Sequence, residues 1–506
     1  MPNMPYCPRV QFGSQLPTLE SIYKPLGQDG FRLLQLLGYD DYGILRCSLQ
    51  HARFQDDTTL PYSAISYTWS EAGKIWYGDY DTSQKPIRIN GAVVLVSHKV
   101  ANIGCLAQQT DTNEKSSQVA RMGAVYGCAA EVLSFLASPS RETDEVFDQA
   151  IRNSHMPNYK PSPSLFASYL NLFANEYWQR AWVFQEIAMA RTITIHCGSR
   201  TAALDTVFAL ESCLDGMIID EGFSGKINGL RLLRHSKPMF SRMWKHGMTA
   251  WTDPTTYATK GINSPFLDVL RISRGHKACR DPRDMLYSRM ALASDAATMI
   301  PYPDYEMSVD DLYKRFATNH IIRTSSLDII TFANHTAMHL PTWVPDWTSQ
   351  DMPWDSVTNK HDTLRCSLSL LAWSDVRLPR ISRCRSELMV QGRVLKIIQR
   401  HDIEALFESA FGTLARYSGS YPLSEVPRMG DSICVLRGCS LPVYLRAIGQ
   451  HVIVVGRHFF AQDRLFDPKL GLITAAEAKD DTKQKNWSLT FIEAVQSRRE
   501  EIFRIR

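Results

Sequence analysis

At 506 residues the chain is too long for one ordinary hydrophobic core, and two or three domains are expected. A composition of 44% hydrophobic and 21% charged residues places it among globular chains. Its 56 basic and 52 acidic residues leave a net charge of +4, and no Lys/Arg run has the length of a nucleic-acid-binding arm, so nucleic acid is not an expected partner.

No apolar run reaches the length of a membrane span, and the first residues lack the basic and apolar segments of a secretion signal. The eleven cysteines are scattered, with no Cys-x-x-Cys; Cys434 and Cys439, the closest pair, flank a turn. Free thiols in a reducing, cytoplasmic setting are the expectation.

Residues 1–30 are punctuated by Pro and Gly and read as a lead-in. Residues 31–37 and 43–49 read as short strands around the turn residues Gly38, Asp40 and Asp41. Residues 62–69 alternate small and aromatic side chains and form the best strand candidate. Asn90-Gly91 between the apolar runs of 87–96 is a strong hairpin signal. Asp111 with Glu114 three residues on predicts a capped helix, continued by Val119, Met122, Val125 and Tyr126 at helical spacing. A buried strand over 132–136, a helix over 165–173 and an alternating strand over 192–197 follow. This alternation predicts an α/β domain with a mainly parallel sheet over 31–205.

Residues 206–387 read as mostly helical, with Asp281 as a cap and Pro282 in the first turn of one helix. From 388 to 506, strands at 387–392, 432–436 and 451–455 predict a small β-rich unit.

The densest cluster of unusual side chains is Tyr177-Trp178-Gln179-Arg180-Ala181-Trp182-Val183-Phe184-Gln185-Glu186. On a helix Trp182 and Glu186 share a face, one turn apart. Such a pair gives a pocket one apolar wall and one anionic point; equally, it can be a core helix whose Glu pairs with Arg180 or Arg191.

Four further segments keep it company in order and spacing: 62–69, 118–126, Asp281-Pro282-Arg283-Asp284, and 340–347 with Trp343 and Trp347. Together they resemble the heterokaryon-incompatibility (HET) domain proteins of filamentous fungi. The resemblance implies a TIR-like fold and a role in non-self recognition and programmed cell death. In NAD-cleaving TIR enzymes a helical Trp-x-x-x-Glu carries the reaction. Carried over, Glu186 is the catalytic carboxylate and Trp182 the aromatic that binds the substrate. Ser66, Tyr67 and Trp69 end the first domain strand, where an open α/β sheet places its ligand crevice, and read as substrate-binding residues or as ordinary strand-end packing. NAD is then a substrate, with no resident cofactor, and self-association or a protein partner is implied. The alternative is a catalytically silent HET protein that acts as an interaction or signalling module.

The family's usual Trp-Ile-Asp…Cys-Ile-Asn-Gln segment is represented only by Cys105-Leu106-Ala107-Gln108, with Asn102 in place of the Asp. About twenty residues are missing around 97–109, where a parallel crossover needs a dozen or more. Other patterns point to structure. His335 and His339 have metal-pair spacing without a third ligand. Asp281, Arg283 and Asp284 read as an interdomain salt-bridge network, and Trp343 and Trp347 as pins holding a loop to the core.

Overall fold

The computed structural model describes residues 26, 30–54, 61–67, 84–97, 112–136, 139–153, 162–173, 175–207, 265–273, 278–333, 339–348, 379–400, 428–440, 442–457, 464–467, 471–474 and 496–506. The chain forms two compact units. The first spans Met1–Glu221 with Asn228–Asn263 and Ile272–Ala278; the second comprises Gly222–Ile227, Ser264–Arg271 and Cys279–Arg506.

The first unit contains two sheets. β1 (Gly30–Tyr39) and β2 (Leu45–Arg53) form an antiparallel hairpin. Asp40 organises its turn, its carboxylate accepting the Tyr42 and Ile44 N–H groups at 3.0 and 2.9 Å. β4 (Gln84–Ile89) and β5 (Ala92–Ser97) form the second hairpin, around Asn90 (φ 45°) and Gly91 (φ 88°). Left-handed backbone at both turn residues is what Asn-Gly supplies with little strain. With β2 parallel to β4, these strands make a sheet in the order β1-β2-β4-β5.

The second sheet runs β3 (Ser63–Tyr67), β6 (Glu131–Leu136), β7 (Ile193–Cys197), β8 (Arg200–Ala203). β3, β6 and β7 are parallel, and β8 is an antiparallel edge. The α/β class therefore holds, but the parallel part of the expected mainly parallel sheet is limited to these three strands, and the two hairpins form a sheet of their own. The physical reason is local: both tight turns reverse the chain, which commits the strands of each hairpin to antiparallel pairing.

Helices bridge the parallel strands: α1 (Thr112–Cys128), α2 (Arg141–Asn153), α3 (Pro163–Phe173), and α4 (Ala181–Met189), entered from a 3-10 turn at Glu176–Gln179. Asp111 lies outside the described residues, and Glu114 pairs with Arg32 of β1. The sequence reading missed α2. Its start is a reciprocal box: Thr143 N–H donates to Ser140 Oγ at 3.2 Å and Ser140 N–H to Thr143 Oγ1 at 2.9 Å.

Alternation along β3 and β6 decides what each residue meets. Ile65, Tyr67 and Phe135 pack against Leu34, Leu45, Cys47, Leu49, Ile87, Ile89 and Val94 of the other sheet. Ser66 and Ser134 project from the opposite face, paired across the ladder.

The second unit has a helical part and a barrel. α5 (Phe266–Ile272), the short α6 (Asp284–Tyr287) and α7 (Ala296–Met299), and α8 (Val309–Thr324) supply the helices. The helix expected to start at Pro282 starts at Asp284, because the Asp281 carboxylate draws the Arg283 N–H (3.1 Å) into a turn. Arg283 also grips Asp281 through its guanidinium (2.9 and 3.0 Å) and reaches the carbonyls of Tyr305 and Met307. These partners lie in the same unit, so the Arg283 pair is local. Trp343 and Trp347 are buried at 0% and 3% exposure, as loop pins should be.

β10 (Leu388–Ile397), β11 (Ser432–Leu436), β12 (Val443–Ile448), β13 (His451–Arg457) and β16 (Glu500–Ile505) close into a ring, because β10 pairs with both β11 and β16. β9 (Arg380–Ile381) extends β10, and β14 (Arg464–Asp467) and β15 (Gly471–Thr474) form a separate hairpin. Closure removes the strand edges an open sheet would expose. Gly392 lets β10 approach its neighbours closely: a Cβ there would lie 2.6 Å from Leu436 and 2.9 Å from both Phe503 and the Val435 carbonyl oxygen. Cys434 and Cys439 are both buried, and neither forms a disulfide.

Candidate functional site

The functional reading rests on where β3 ends. In an open α/β sheet the carboxyl ends of parallel strands border the ligand crevice, and Ser66 is the penultimate residue of β3. It is 1% exposed and faces the helical layer. There its hydroxyl donates to Glu186 Oε2 and lies 2.7 Å from the Tyr177 hydroxyl. The Tyr177 hydroxyl lies in turn 2.9 Å from Ser134 Oγ. Ser66 and Glu186, 120 residues apart in sequence, thus meet directly.

The local structure that delivers these groups is readable. Asn175 caps the 3-10 turn by accepting the Tyr177 N–H at 2.9 Å, which fixes the tyrosine at the turn's start. Arg180 ends that turn in extended conformation and opens α4. Its backbone bridges to Ala278: Ala181 N–H donates to Ala278 O (3.0 Å), and Ala278 N–H to Gln179 O (2.8 Å). The Arg180 guanidinium donates to the Tyr67 carbonyl. Six residues into α4 stands Glu186, 4% exposed.

Burial raises the Glu186 carboxyl above its ordinary value of 4.5; the Arg180 charge and hydrogen bonds from Ser66 and Tyr126 oppose the rise without cancelling it. Burial, with the neighbouring Glu186 charge, raises Tyr177 above its ordinary value of 10.0, so the phenol keeps its proton. The four oxygens therefore share three hydroxyl protons and one titratable carboxyl. With Glu186 ionised, Ser66 donates to the carboxylate and Tyr177 donates to Ser134 Oγ. With Glu186 protonated the chain can run from the carboxyl through Ser66 and Tyr177 to Ser134. Hydroxyl neighbours can thus serve either protonation state, which an isolated buried carboxylate could not use.

The other expected residues divide. Trp182 is half-buried on α4, one turn before Glu186. The Tyr67 side chain is on the wrong face of β3: it packs between the sheets with Cys47, Ile87 and Ile89, and only its carbonyl joins the site. Period-two alternation makes this unavoidable once Ser66 faces Glu186. Trp69 lies outside the described residues, as do 98–109 and His335. Arg191, one proposed partner of Glu186, donates to the Gly127 carbonyl at 3.1 Å.

Ser134, Tyr177 and Tyr126 were not expected in the site. Tyr126 donates to the Ile65 carbonyl at 2.9 Å. The signal for Ser134 lies in the sequence 131–136, where a hydroxyl takes the buried position between Val132 and Leu136, as Ser66 takes a buried position in β3. Two such positions in parallel strands call for a polar partner from the covering layer.

The segment from 62 to 186 matches the family described as Heterokaryon incompatibility protein (HET). This segment is a HET domain. The match begins just before β3 and ends on Glu186, so the contact between Ser66 and Glu186 joins the two ends of the HET domain. No curated protein and no solved structure matches the chain.

Among the described residues, no three His, Cys, Asp or Glu side chains group to hold a metal ion. Nor, among them, is any helix long and apolar enough to cross a membrane.

Proposed function

We propose that this chain is a HET-type effector of fungal non-self recognition whose HET domain cleaves the nicotinamide–ribose bond of NAD, with cell death as the outcome. The observation that carries this reading is the Ser66–Glu186 hydrogen bond at the carboxyl end of a parallel strand. A buried carboxyl with a raised pKa and a specific charge nearby is the kind of group that active sites build.

In the reaction the C1′–N bond breaks and its electron pair leaves with nicotinamide, which becomes neutral. Positive charge develops on the ribose, and water adds to C1′ with loss of a proton. Ionised Glu186 stabilises that charge, Ser66 orients the carboxylate, and Trp182 offers an aromatic wall to the nicotinamide ring. The three parallel strands with helical crossovers support a TIR-like reading of the domain; the antiparallel β8 and the β1-β2-β4-β5 sheet depart from it. The effector works in the cytoplasm, engaged by its own copies or by a protein partner.

A second reading is a catalytically silent interaction module. It is favoured by the enclosure of Glu186, which is 4% exposed with its Oε2 taken by Ser66. Chromatographic measurement of NAD loss, with purified protein at high concentration, separates the two. Turnover above a buffer blank supports the enzyme. Folded, self-associated and inert protein supports the module.

A further inference from the structure

The first hairpin carries an apolar surface that the candidate site does not use. Along β1 the side chains pass from buried at Gly30 and Phe31 to exposed from Gln35 onward. Leu36, Leu37 and Tyr39 are 58, 49 and 74% exposed, and Tyr42 in the adjoining turn is 76% exposed. Single exposed apolar residues are ordinary, but four within seven positions at one hairpin end make a patch. β1 is also the terminal strand of its sheet, so among the described residues no strand pairs with its outer edge. An apolar strand with an open edge is a template for strand pairing with another chain.

We propose that a second copy of this chain docks there, β1 against β1, antiparallel about a two-fold axis through Gln35. The sequence of the strand selects the occupant. Residues 33–37 read Leu-Leu-Gln-Leu-Leu, a palindrome. A two-fold contact requires that if residue i meets j, then j meets i. Centred on Gln35, Leu33 meets Leu37 and Leu34 meets Leu36 on both sides of the axis.

Charge follows the same register. Asp41 in the turn of one copy lies toward the start of β1 in the other, the Asp40 carboxylate being already held by Arg88 and by the Tyr42 and Ile44 N–H groups. There Arg121 of α1 reaches the Gly30 carbonyl at 3.1 Å. Nothing in the strand places like charges against each other.

The size of the patch sets the strength. Two leucines and two tyrosines from each copy offer roughly 800 Å² in total. That is below the roughly 1,200 Å² of stable complexes. The bulge between Leu36 and Gly38 also limits the length of regular pairing. The dimer is therefore weak and forms only as concentration rises. A chain engaged by its own copies would use such a surface, but the docking argument rests on β1 alone and needs no catalytic activity.

The test measures the mass of the full chain by sedimentation over roughly 1–100 µM, for the wild type, Leu36→Lys and Gln35→Cys. In the wild type the average mass should climb toward twice the chain mass. Leu36→Lys, a change at an exposed position, should stay monomeric with an unchanged circular dichroism spectrum and Tm. Gln35→Cys should form a self-crosslinked dimer on mild oxidation that the wild type, with its own cysteines, does not form. Opposed Cβ atoms in such a pair are about 4.5–5.5 Å apart, close to disulfide reach. A wild type that stays monomeric throughout overturns the proposal. So does a dimer that Leu36→Lys leaves intact, or one in which Cys at 35 fails to crosslink; either would place self-association on another surface.

Discussion

Two buried carboxylates, one in each unit, have opposite surroundings. Asp431, 2% exposed at the start of β11, is gripped by both arms of Arg446, each at 2.8 Å, and accepts the Arg428 N–H at 2.7 Å. Glu186, 4% exposed on α4, meets the Ser66 hydroxyl instead, while Arg180 spends its guanidinium on the Tyr67 carbonyl. A bidentate guanidinium satisfies both oxygens of a carboxylate and holds it in place. Hydroxyls can serve either protonation state. The barrel carboxylate is therefore a latch, and the HET-domain carboxyl is a group left able to change charge.

The sharpest break in that comparison comes from the latch. Arg446→Met should leave Asp431 buried without its counter-charge, and loss of one partner from a buried pair costs about 3–5 kcal/mol. Urea denaturation, following the transition of the second unit, should show a large drop in midpoint. A change below about 1 kcal/mol would mean that the pair behaves like a surface bridge.

Next comes chemistry at Glu186. Under the NAD-cleavage reading, Glu186→Gln should lower turnover on the order of a hundredfold or more, since the amide cannot supply the charge that steadies the developing oxocarbenium. Its carbonyl can still accept from Ser66, so circular dichroism should be unchanged. Equal NAD loss by mutant and wild type removes Glu186 from the mechanism.

A third change tests how tightly the barrel around the latch is built. Gly392→Ala places a methyl group against Leu436, Phe503 and a backbone carbonyl of β11. Overpacking of this kind costs about 1–3 kcal/mol. A midpoint within error of the wild type would show that β10 can shift outward at this position.

How far the sequence carries this comparison differs between the units. Asn90-Gly91 and the Asp40 turn are legible because a turn is a local event, decided by the few residues that make it. Strand-end placement put Ser66 and Glu186 at one candidate site, and their direct hydrogen bond came only with the structure. The role of Tyr67 was not readable without the register, because one residue along a strand exchanges one face for the other.

Partition of the first strands into two sheets was also beyond the sequence. Alternation reveals that a strand is half-buried and says nothing of which strand it joins. Barrel closure depends on β10 meeting β16 more than a hundred residues later, and the Asp431–Arg446 latch depends on β11 lying beside β12. The reciprocal Ser140–Thr143 box that starts α2 went unrecognised in the sequence, because Thr143 stands where the usual capping box has Glu or Gln.

The smallest predicted effect bears most directly on the difference between the two carboxyls. Glu186 has a folded-state pKa above its ordinary value of 4.5, chiefly because of burial. The folded state therefore binds more protons at this site than the unfolded state over the window between the two values, and stability falls as pH rises through it. Glu186→Gln has no such proton to lose. Below the ordinary carboxyl value both proteins are neutral at this position, and their Tm values should nearly coincide. As pH rises, the mutant should become the more stable of the two, with the gap levelling off above the folded-state pKa. Differential scanning calorimetry of both proteins from about pH 4 to 8, a window that brackets the ordinary carboxyl value, measures this directly. A wild type that gains on the mutant as pH rises would mean that Arg180 outweighs burial and that Glu186 is held as an anion. NAD turnover, which uses the carboxylate form, should rise with pH across the same window in which wild-type stability falls.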